Sequence, residues 1–146
     1  MPYAWGPTSV ARLQTCHELL RELFARVIKR PDLPHDLTVL YGHRTNAEQA
    51  ELYAKGRRGI PGEKTVTNAK PGQSKHNASP SHAVDVAPIV KGSVSWDWTA
   101  YHAVAPIIKA EWVKMTAEGL TGGVALSWGG DWERTKDGPH WEVRGV

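Results

Sequence analysis

The chain has 146 residues, of which 40% are hydrophobic and 23% are charged, and its formal net charge is +3. These values are typical of one compact globular domain and exclude a disordered, collagen-like or membrane-spanning chain. The positive charge is small and evenly spread, so it favours anionic partners in general and does not indicate nucleic-acid binding. A single cysteine, Cys16, excludes an internal disulfide framework. Because Cys16 falls within a helical pattern, it is expected to be a buried hydrophobe.

The first third of the sequence predicts two helices and a strand. Apolar residues recur at alternating intervals of three and four over residues 9–28, which predicts one amphipathic helix. His17 falls on its apolar stripe and is expected to be a core histidine. Residues 37–41 are rich in β-formers and predict a short strand that delivers Arg44 at its end. A second helix is expected from residue 45 or 46 to about residue 55.

Residues 56–82 have almost no periodicity and consist mostly of Gly, Pro, Ser, Asn, Lys and Arg. A loop of this length in a compact domain is usually either functional or disordered. The basic side chains in and beside it are either solvated or available to hold an anionic ligand. These side chains are Lys55, Arg57, Arg58, Lys64, Lys70 and Lys75.

The rest of the chain predicts one helix and three strands. The helix begins near residue 97, and Pro106 must kink it or split it in two. The strands are expected at residues 83–88, 124–128 and 140–143. This order of elements predicts one α+β domain over residues 1–146, in which helices pack on a small antiparallel sheet.

Two segments place metal-binding side chains where a core would exclude them. Asp85 lies among Ala and Val residues, and burying an unpaired carboxylate is so unfavourable that it needs a cation or strong donors. Asp137 stands three residues before His140, at the start of a predicted strand. Catalytic zinc sites commonly use three His or carboxylate ligands and leave the fourth position to water. His76, Asp85 and His140 would supply such a set, which leaves Asp137 free as a base.

A purely structural interpretation of the same residues is also open. Asp85 could pair with Arg44 or accept hydrogen bonds from backbone amides, and each histidine could lie at the surface. His and Asp nine residues apart are not a diagnostic signature. The residues alone therefore leave both interpretations standing.

Several short motifs occur together in one order along the chain. The first set is Ser74-x-His76, Ala83-x-Asp85 and Asp137-x-x-His140-Trp141. The supporting set is Gly42-His43-Arg44-Thr45, Glu48-Gln49, Leu52-Tyr53 and Trp128-Gly129-Gly130-Asp131-Trp132. In combination they resemble the zinc peptidases that cut peptidoglycan stem peptides. These are the D-Ala-D-Ala carboxypeptidase and L-alanyl-D-glutamate endopeptidase family, well represented among bacteriophage endolysins. The resemblance covers about residues 37–143.

The resemblance implies a zinc ion (Zn2+) at the sheet, beside a long active-site loop. His76, Asp85 and His140 match the family's zinc ligands. Asp137 matches its general base, and Arg44 matches an arginine that holds the substrate carbonyl and the developing oxyanion.

Further matches imply contacts with the substrate. Ser74 corresponds to a serine that lines the same site, and the resemblance adds Gln49 and Trp141 as substrate-binding residues. Trp128, Trp132 and Trp141 are either core residues or, for one ring, a wall of the substrate cleft. Glu142 is an alternative base, because in a strand it shares a face with His140.

The sequence departs from the family pattern between the first two ligands. The gap from His76 to Asp85 is about two residues longer than usual and has no Gly before Ala83. This difference concerns the path of the loop. His82 is a rival ligand, but in a strand it points away from Asp85.

The resemblance implies a phage-type endolysin that cuts the stem peptide of bacterial peptidoglycan, between L-Ala and D-Glu. The alternatives are a D-alanyl-D-alanine carboxypeptidase with the same zinc site and a metal-stabilised cell-wall-binding domain without turnover. Residues 1–7 lack the basic and apolar segments of a secretory signal. The expectation is a monomer without a separate cell-wall-binding domain or membrane insertion. It would accumulate in the host cytoplasm and reach the wall after membrane permeabilisation.

Overall fold

A computed structural model describes residues 2–146. The helices are α1 (Pro7–Leu13), α2 (Glu18–Val27), α3 (Asn46–Ala54) and α4 (Trp98–Ala117). The strands are β1 (Asp36–Tyr41), β2 (Ala83–Val90), β3 (Ser93–Val94), β4 (Ala125–Trp128) and β5 (His140–Arg144). Two short 3-10 turns lie at Lys75–Asn77 and Gly129–Asp131.

The strands form one antiparallel sheet in the order β1, β2, β5 and β4, with β3 paired to the end of β2. The register between β2 and β5 places Asp85 directly opposite His140. Residues opposite each other in an antiparallel pair project from the same face of the sheet. The pairing of two central strands therefore brings together two residues that are 55 positions apart in the sequence.

The hydrophobic core lies between the sheet and helices α1, α2 and α4. Val84 and Val86 of β2 belong to this core. Because side chains alternate along a strand, Asp85 between them points to the other face of the sheet. The prediction of an α+β fold with helices on a small antiparallel sheet is confirmed.

The prediction of a single helix over residues 9–28 is wrong. Two separate helices, α1 and α2, occupy this region, and the backbone between them is not helical. At the break, Cys16 forms a β-bridge with Ser81, and the His17 amide donates to the Ser81 carbonyl. The His17 ring accepts from the Leu19 amide at 3.1 Å, so it caps α2 and is only half-buried. His17 is therefore a capping residue, not a core histidine. The contact with Ser81 and the His17 cap therefore interrupt the single helix that the apolar periodicity predicts.

Helix α4 runs without interruption past Pro106, so the proline does not split it. It begins where the sequence predicts, because the Asp97 side chain accepts from the Thr99 amide at 2.9 Å and caps the first turn. Within residues 2–146, no helix combines the length and the apolar character that crossing a bilayer requires.

The long loop between α3 and β2 has only one short 3-10 turn, as its composition predicts, yet it is tied down. The Arg58 guanidinium contacts Glu51 at 2.8 Å and Glu63 at 2.6 Å. Arg57 donates to the backbone carbonyls of Tyr53 and Thr67. These two arginines hold the loop against α3 rather than projecting as free positive charges.

Cys16 is expected to react slowly with thiol reagents in the folded protein. Its side chain is buried, and burial raises the pKa of the thiol to about 11. At pH 8 the thiolate fraction falls about 100-fold relative to an ordinary cysteine, and the thiolate is the reactive form. Reaction with Ellman's reagent should be at least that much slower in buffer than in denaturant. Equal rates in the two conditions would contradict the burial of Cys16.

Candidate metal centre

The three candidate ligands lie on three different elements and converge at the sheet. His76 lies on the Lys75–Asn77 turn, Asp85 lies in β2, and His140 begins β5. His76 Nε2 is 3.2 Å from Asp85 Oδ1, and His140 Nδ1 is 3.3 Å from the same oxygen. One ligand atom from each residue lies within 4.8 Å of the others, so the group could hold a metal ion.

A hydrogen bond at the second ring nitrogen orients each histidine. His76 Nδ1 lies 2.8 Å from the Gly42 carbonyl, and His140 Nε2 lies 2.8 Å from a Glu142 carboxylate oxygen. Because a carbonyl and a carboxylate only accept, these two nitrogens carry the protons. The opposite nitrogens, His76 Nε2 and His140 Nδ1, face Asp85 and would present their lone pairs to a bound metal ion. Such outer contacts are typical of metal-ligating histidines.

The donor set fits zinc. Zinc binds imidazole nitrogen and carboxylate oxygen at about 2.0–2.2 Å with tetrahedral geometry, so two ligand atoms lie about 3.3–3.5 Å apart. The two imidazole-to-Asp85 distances of 3.2 and 3.3 Å are close to that spacing. A His-Asp-His set supplies three protein ligands and leaves a fourth position open, as in catalytic zinc sites.

The charges of the centre are strongly coupled. Burial opposes ionisation of Asp85, but the two imidazoles outweigh it and hold its pKa well below the usual range. Burial also opposes protonation of His140, but its contacts with Asp85 and Glu142 raise its pKa to about 9. For Glu142, His140 and Arg144 overcome burial and lower the pKa to about 2. Asp85 and Glu142 therefore both stay ionised at neutral pH.

Arg44 lies beside the centre and is almost completely buried. One guanidinium nitrogen is 3.9 Å from Asp85 Oδ2, and another donates to Gln49 Oε1 at 2.9 Å. The Gln49 amide in turn donates to the Ala69 carbonyl at 2.7 Å. Gln49 has no exposed surface, so the structure places it to hold Arg44, where the sequence suggested a contact with the substrate.

Asp137 lies in the turn that leads into β5. Its amide donates to the Gly129 carbonyl, and its own carbonyl accepts from the His140 amide. A Cβ at Gly129 would overlap the Asp137 backbone, so the close approach of these segments requires glycine. Burial and the charge of Asp85 raise the pKa of Asp137, although nearby His140 offsets part of the effect. Asp137 is therefore more basic than an ordinary aspartate.

The other predicted contacts divide into those at the centre and those away from it. Trp132 packs against the His140 ring with a centroid distance of 5.0 Å, so it lies beside a candidate ligand. Trp141, for which the sequence suggested a substrate contact, is buried and stacks on Trp128 at 5.6 Å. Ser74 accepts from the His76 amide and caps its turn.

His82 and Glu142, the rivals considered for ligand and base, have other contacts. The His82 ring packs against His17 at 6.1 Å and lies outside the ligand cluster. Both Glu142 oxygens are engaged, one by His140 and the other by Arg144 at 2.9 Å. In this structure His82 therefore lies apart from the candidate ligands, and both carboxylate oxygens of Glu142 have partners.

Two groups at the centre are missed by the sequence patterns. One is the Gly42 carbonyl; a Cβ at Gly42 would overlap the Arg12 carbonyl, so this backbone position requires glycine. The other is Tyr101, whose buried hydroxyl has no hydrogen-bond partner among residues 2–146. Burial and the charges of Asp137 and Asp85 raise its pKa to about 12. Tyr101 lies on α4, and none of the sequence motifs includes it.

The fold and the site define an α+β protein with a His-Asp-His metal-ligand cluster at the centre of an antiparallel sheet. Over residues 1–145, the sequence matches the family described as phage L-alanyl-D-glutamate peptidase. The chain belongs to this family, which confirms the resemblance recognised from its motifs.

Individual relatives agree with this assignment. The chain is 37% identical over 109 residues to the peptidoglycan L-alanyl-D-glutamate endopeptidase CwlK of Bacillus subtilis, covering 74% of this chain and 60% of that protein. It is 28% identical over 138 residues to the L-alanyl-D-glutamate peptidase of Escherichia phage T5, covering 94% and 87%. The crystal structure of the Serratia marcescens L-Ala D-Glu endopeptidase ChiX superposes with a TM-score of 0.72 at 25% identity, covering 97% and 90%.

Glu142→Ala is expected to weaken binding of a divalent metal ion about 10- to 100-fold, because it removes the acceptor that fixes the His140 ring. Glu142→Gln keeps an acceptor and should lose less. The measurement is competition for zinc against a chromophoric chelator. Glu22→Ala is the matched control, since Glu22 also pairs with an arginine but lies on the exposed face of α2. Unchanged zinc affinity in Glu142→Ala would show that Glu142 does not orient His140.

Proposed function

We propose that this protein is a zinc-dependent peptidoglycan peptidase that hydrolyses the L-alanyl-D-glutamate bond of the stem peptide. The observation that carries the proposal is the convergence of His76, Asp85 and His140 at the sheet. The family match and the activities named for its bacterial and phage relatives support it. The substrate is the stem peptide of bacterial peptidoglycan. The described residues form one catalytic unit, and the protein acts as a monomer.

His76 Nε2, Asp85 Oδ1 and His140 Nδ1 would hold the ion. When bound, zinc supplies a water of lowered pKa and polarises a carbonyl. Glu142 and the Gly42 carbonyl keep both imidazoles in the tautomer that presents a lone pair. Trp132 covers the His140 side of the centre and limits the access of bulk water.

Asp137 serves as the general base in this proposal. Its carboxylate takes a proton from the attacking water and then gives it to the leaving amine of D-Glu. A base whose pKa is raised toward the working pH is more effective at both transfers. Burial and the charge of Asp85 act on Asp137 in that direction.

Arg44 serves as the electrostatic partner of the substrate carbonyl. Gln49 and the Arg44 backbone contact with His76 hold the guanidinium in place before substrate arrives. A donor fixed in advance stabilises the negative charge that develops on the carbonyl oxygen, because no reorganisation is needed during the reaction. Arg44 Nε is buried without a hydrogen-bond partner among residues 2–146, so the guanidinium has donor capacity left over.

The endolysin role is part of the same proposal. The enzyme would be made in the cytoplasm of an infected host and would act on the wall once the membrane is permeabilised. The peptidase of phage T5 aligns with 94% of this chain, which supports a phage setting.

The bond specificity can be tested with purified muropeptides and mass spectrometry. We expect products that end in L-Ala and begin with D-Glu, loss of activity after chelation, and recovery with added zinc. Release of D-Ala without cleavage at L-Ala would instead identify a D,D-carboxypeptidase. Binding of muropeptides without any new terminus would identify a binding domain. Activity that resists strong chelation would contradict the metal requirement.

Asp137→Asn is expected to lower kcat/KM for the muropeptide about 10²- to 10⁴-fold, because the amide cannot accept the proton. Zinc affinity should stay near that of the wild type, since Asp137 is not one of the three ligands. Asp131→Asn is the control: Asp131 is exposed and pairs with Lys109. Full activity of Asp137→Asn would remove Asp137 from the mechanism, and Glu142 would need to be tested in its place.

A further inference from the structure

A second recess opens beside the candidate base and is not used by the mechanism above. Its cavity has a volume of about 280 Å³. The lining residues are Trp96, Trp98, Tyr101, Asp137, Gly138 and Pro139, with Lys136 at the edge. We call this recess the aromatic cleft. Because Asp137 forms part of its wall, the aromatic cleft adjoins the residue to which the proposed mechanism assigns proton transfer.

The outer wall of the aromatic cleft is unusually apolar for a surface. Trp96 is 67% exposed and Trp98 is 40% exposed. Trp98 is fixed from behind, because its ring packs against Tyr101 at 6.0 Å and Trp128 at 6.5 Å. Trp96 has no such support in the core, yet it sits between β3 and the capped start of α4. Exposed tryptophans beside a site commonly serve as binding surfaces.

The charge in the aromatic cleft favours a neutral ligand. Asp137 contributes a carboxylate, which repels anionic groups. The Lys136 ammonium is directed at the Gly130 carbonyl, at 3.3 Å. The two sides of the scissile bond differ in charge. The D-Glu side carries free carboxylates, whereas on the other side L-Ala is joined by an amide to the lactyl group of N-acetylmuramic acid.

We propose that the aromatic cleft binds the sugar ring of the muramic acid residue that carries the stem peptide. This inference rests on the proposed function and extends it to the orientation of the substrate. The apolar face of a sugar ring stacks on an aromatic ring, and Trp96 and Trp98 offer such rings at the surface. One alanine and the lactyl group separate the sugar from the scissile bond. The sugar thus reaches a cleft that adjoins the centre, while the glycan strand continues into solvent past exposed Trp96.

The test compares two substrates that differ only in the sugar: N-acetylmuramyl-L-Ala-D-Glu and N-lactyl-L-Ala-D-Glu. We expect the wild type to prefer the muramyl substrate. Trp96→Ala should lower the ratio of the two kcat/KM values about three- to tenfold, mainly through the KM of the muramyl substrate. Trp96→Phe should restore most of the ratio. Tyr3→Ala, which removes an exposed aromatic ring that does not line the cleft, should leave the ratio unchanged.

A binding measurement checks the same surface without turnover. The dissociation constant of N-acetylmuramyl-L-Ala, followed by NMR, should rise by the same factor in Trp96→Ala. Equal losses on both substrates would overturn the inference, because the rings would then contact the peptide. An unchanged ratio with an unchanged dissociation constant would also overturn it. If the wild type cleaves neither of the two substrates nor intact muropeptides, the proposed function is contradicted instead.

Discussion

The buried carboxylate of Asp85 is the constraint on which the rest of the site depends. Its strand, β2, lies in the middle of the sheet, and its neighbours Val84 and Val86 face the hydrophobic core. A carboxylate in that position is stable only if positive or hydrogen-bonding groups surround it. His140 reaches it across the β2–β5 pair, and His76 reaches it from the long loop. The need to satisfy one carboxylate therefore explains why distant segments meet at this point.

The long gap between the first two ligands and the broken first helix have one explanation. Residues 78–82 lead away from the centre to the non-helical segment between α1 and α2. There the Ser81 amide donates to the Thr15 carbonyl, and the Ser81 carbonyl accepts from the His17 amide. On the other side, His76 is attached to residues 42–44 through the Gly42 carbonyl and the Arg44 amide. The additional residues therefore change the route of the loop between two fixed points. They do not displace His76 from Asp85.

The features that the sequence predicts depend on local residue patterns or on the cost of burying a charged group. The strands follow from β-forming residues, and the cost of burying Asp85 among apolar neighbours indicates that a cation or strong donors must face it. The features it misses depend on contacts between distant residues. Apolar periodicity in 9–28 cannot show that Ser81 will pair at its middle. Trp141 and Gln49 stand next to functional positions in the sequence, but only packing determines that both are buried.

Two acidic residues near His140 have different environments, and this difference supports a division of labour between them. Glu142 is held by His140 and Arg144 at both oxygens, and these contacts lower its pKa to about 2. A carboxylate so strongly stabilised in its ionised form is a poor proton acceptor but a good anchor for an imidazole. Asp137 is fixed through its backbone, and burial with the charge of Asp85 raises its pKa. Carboxylates whose pKa values are pushed apart commonly take separate roles in one site. In the proposed mechanism, Glu142 therefore positions His140, and Asp137 transfers the proton.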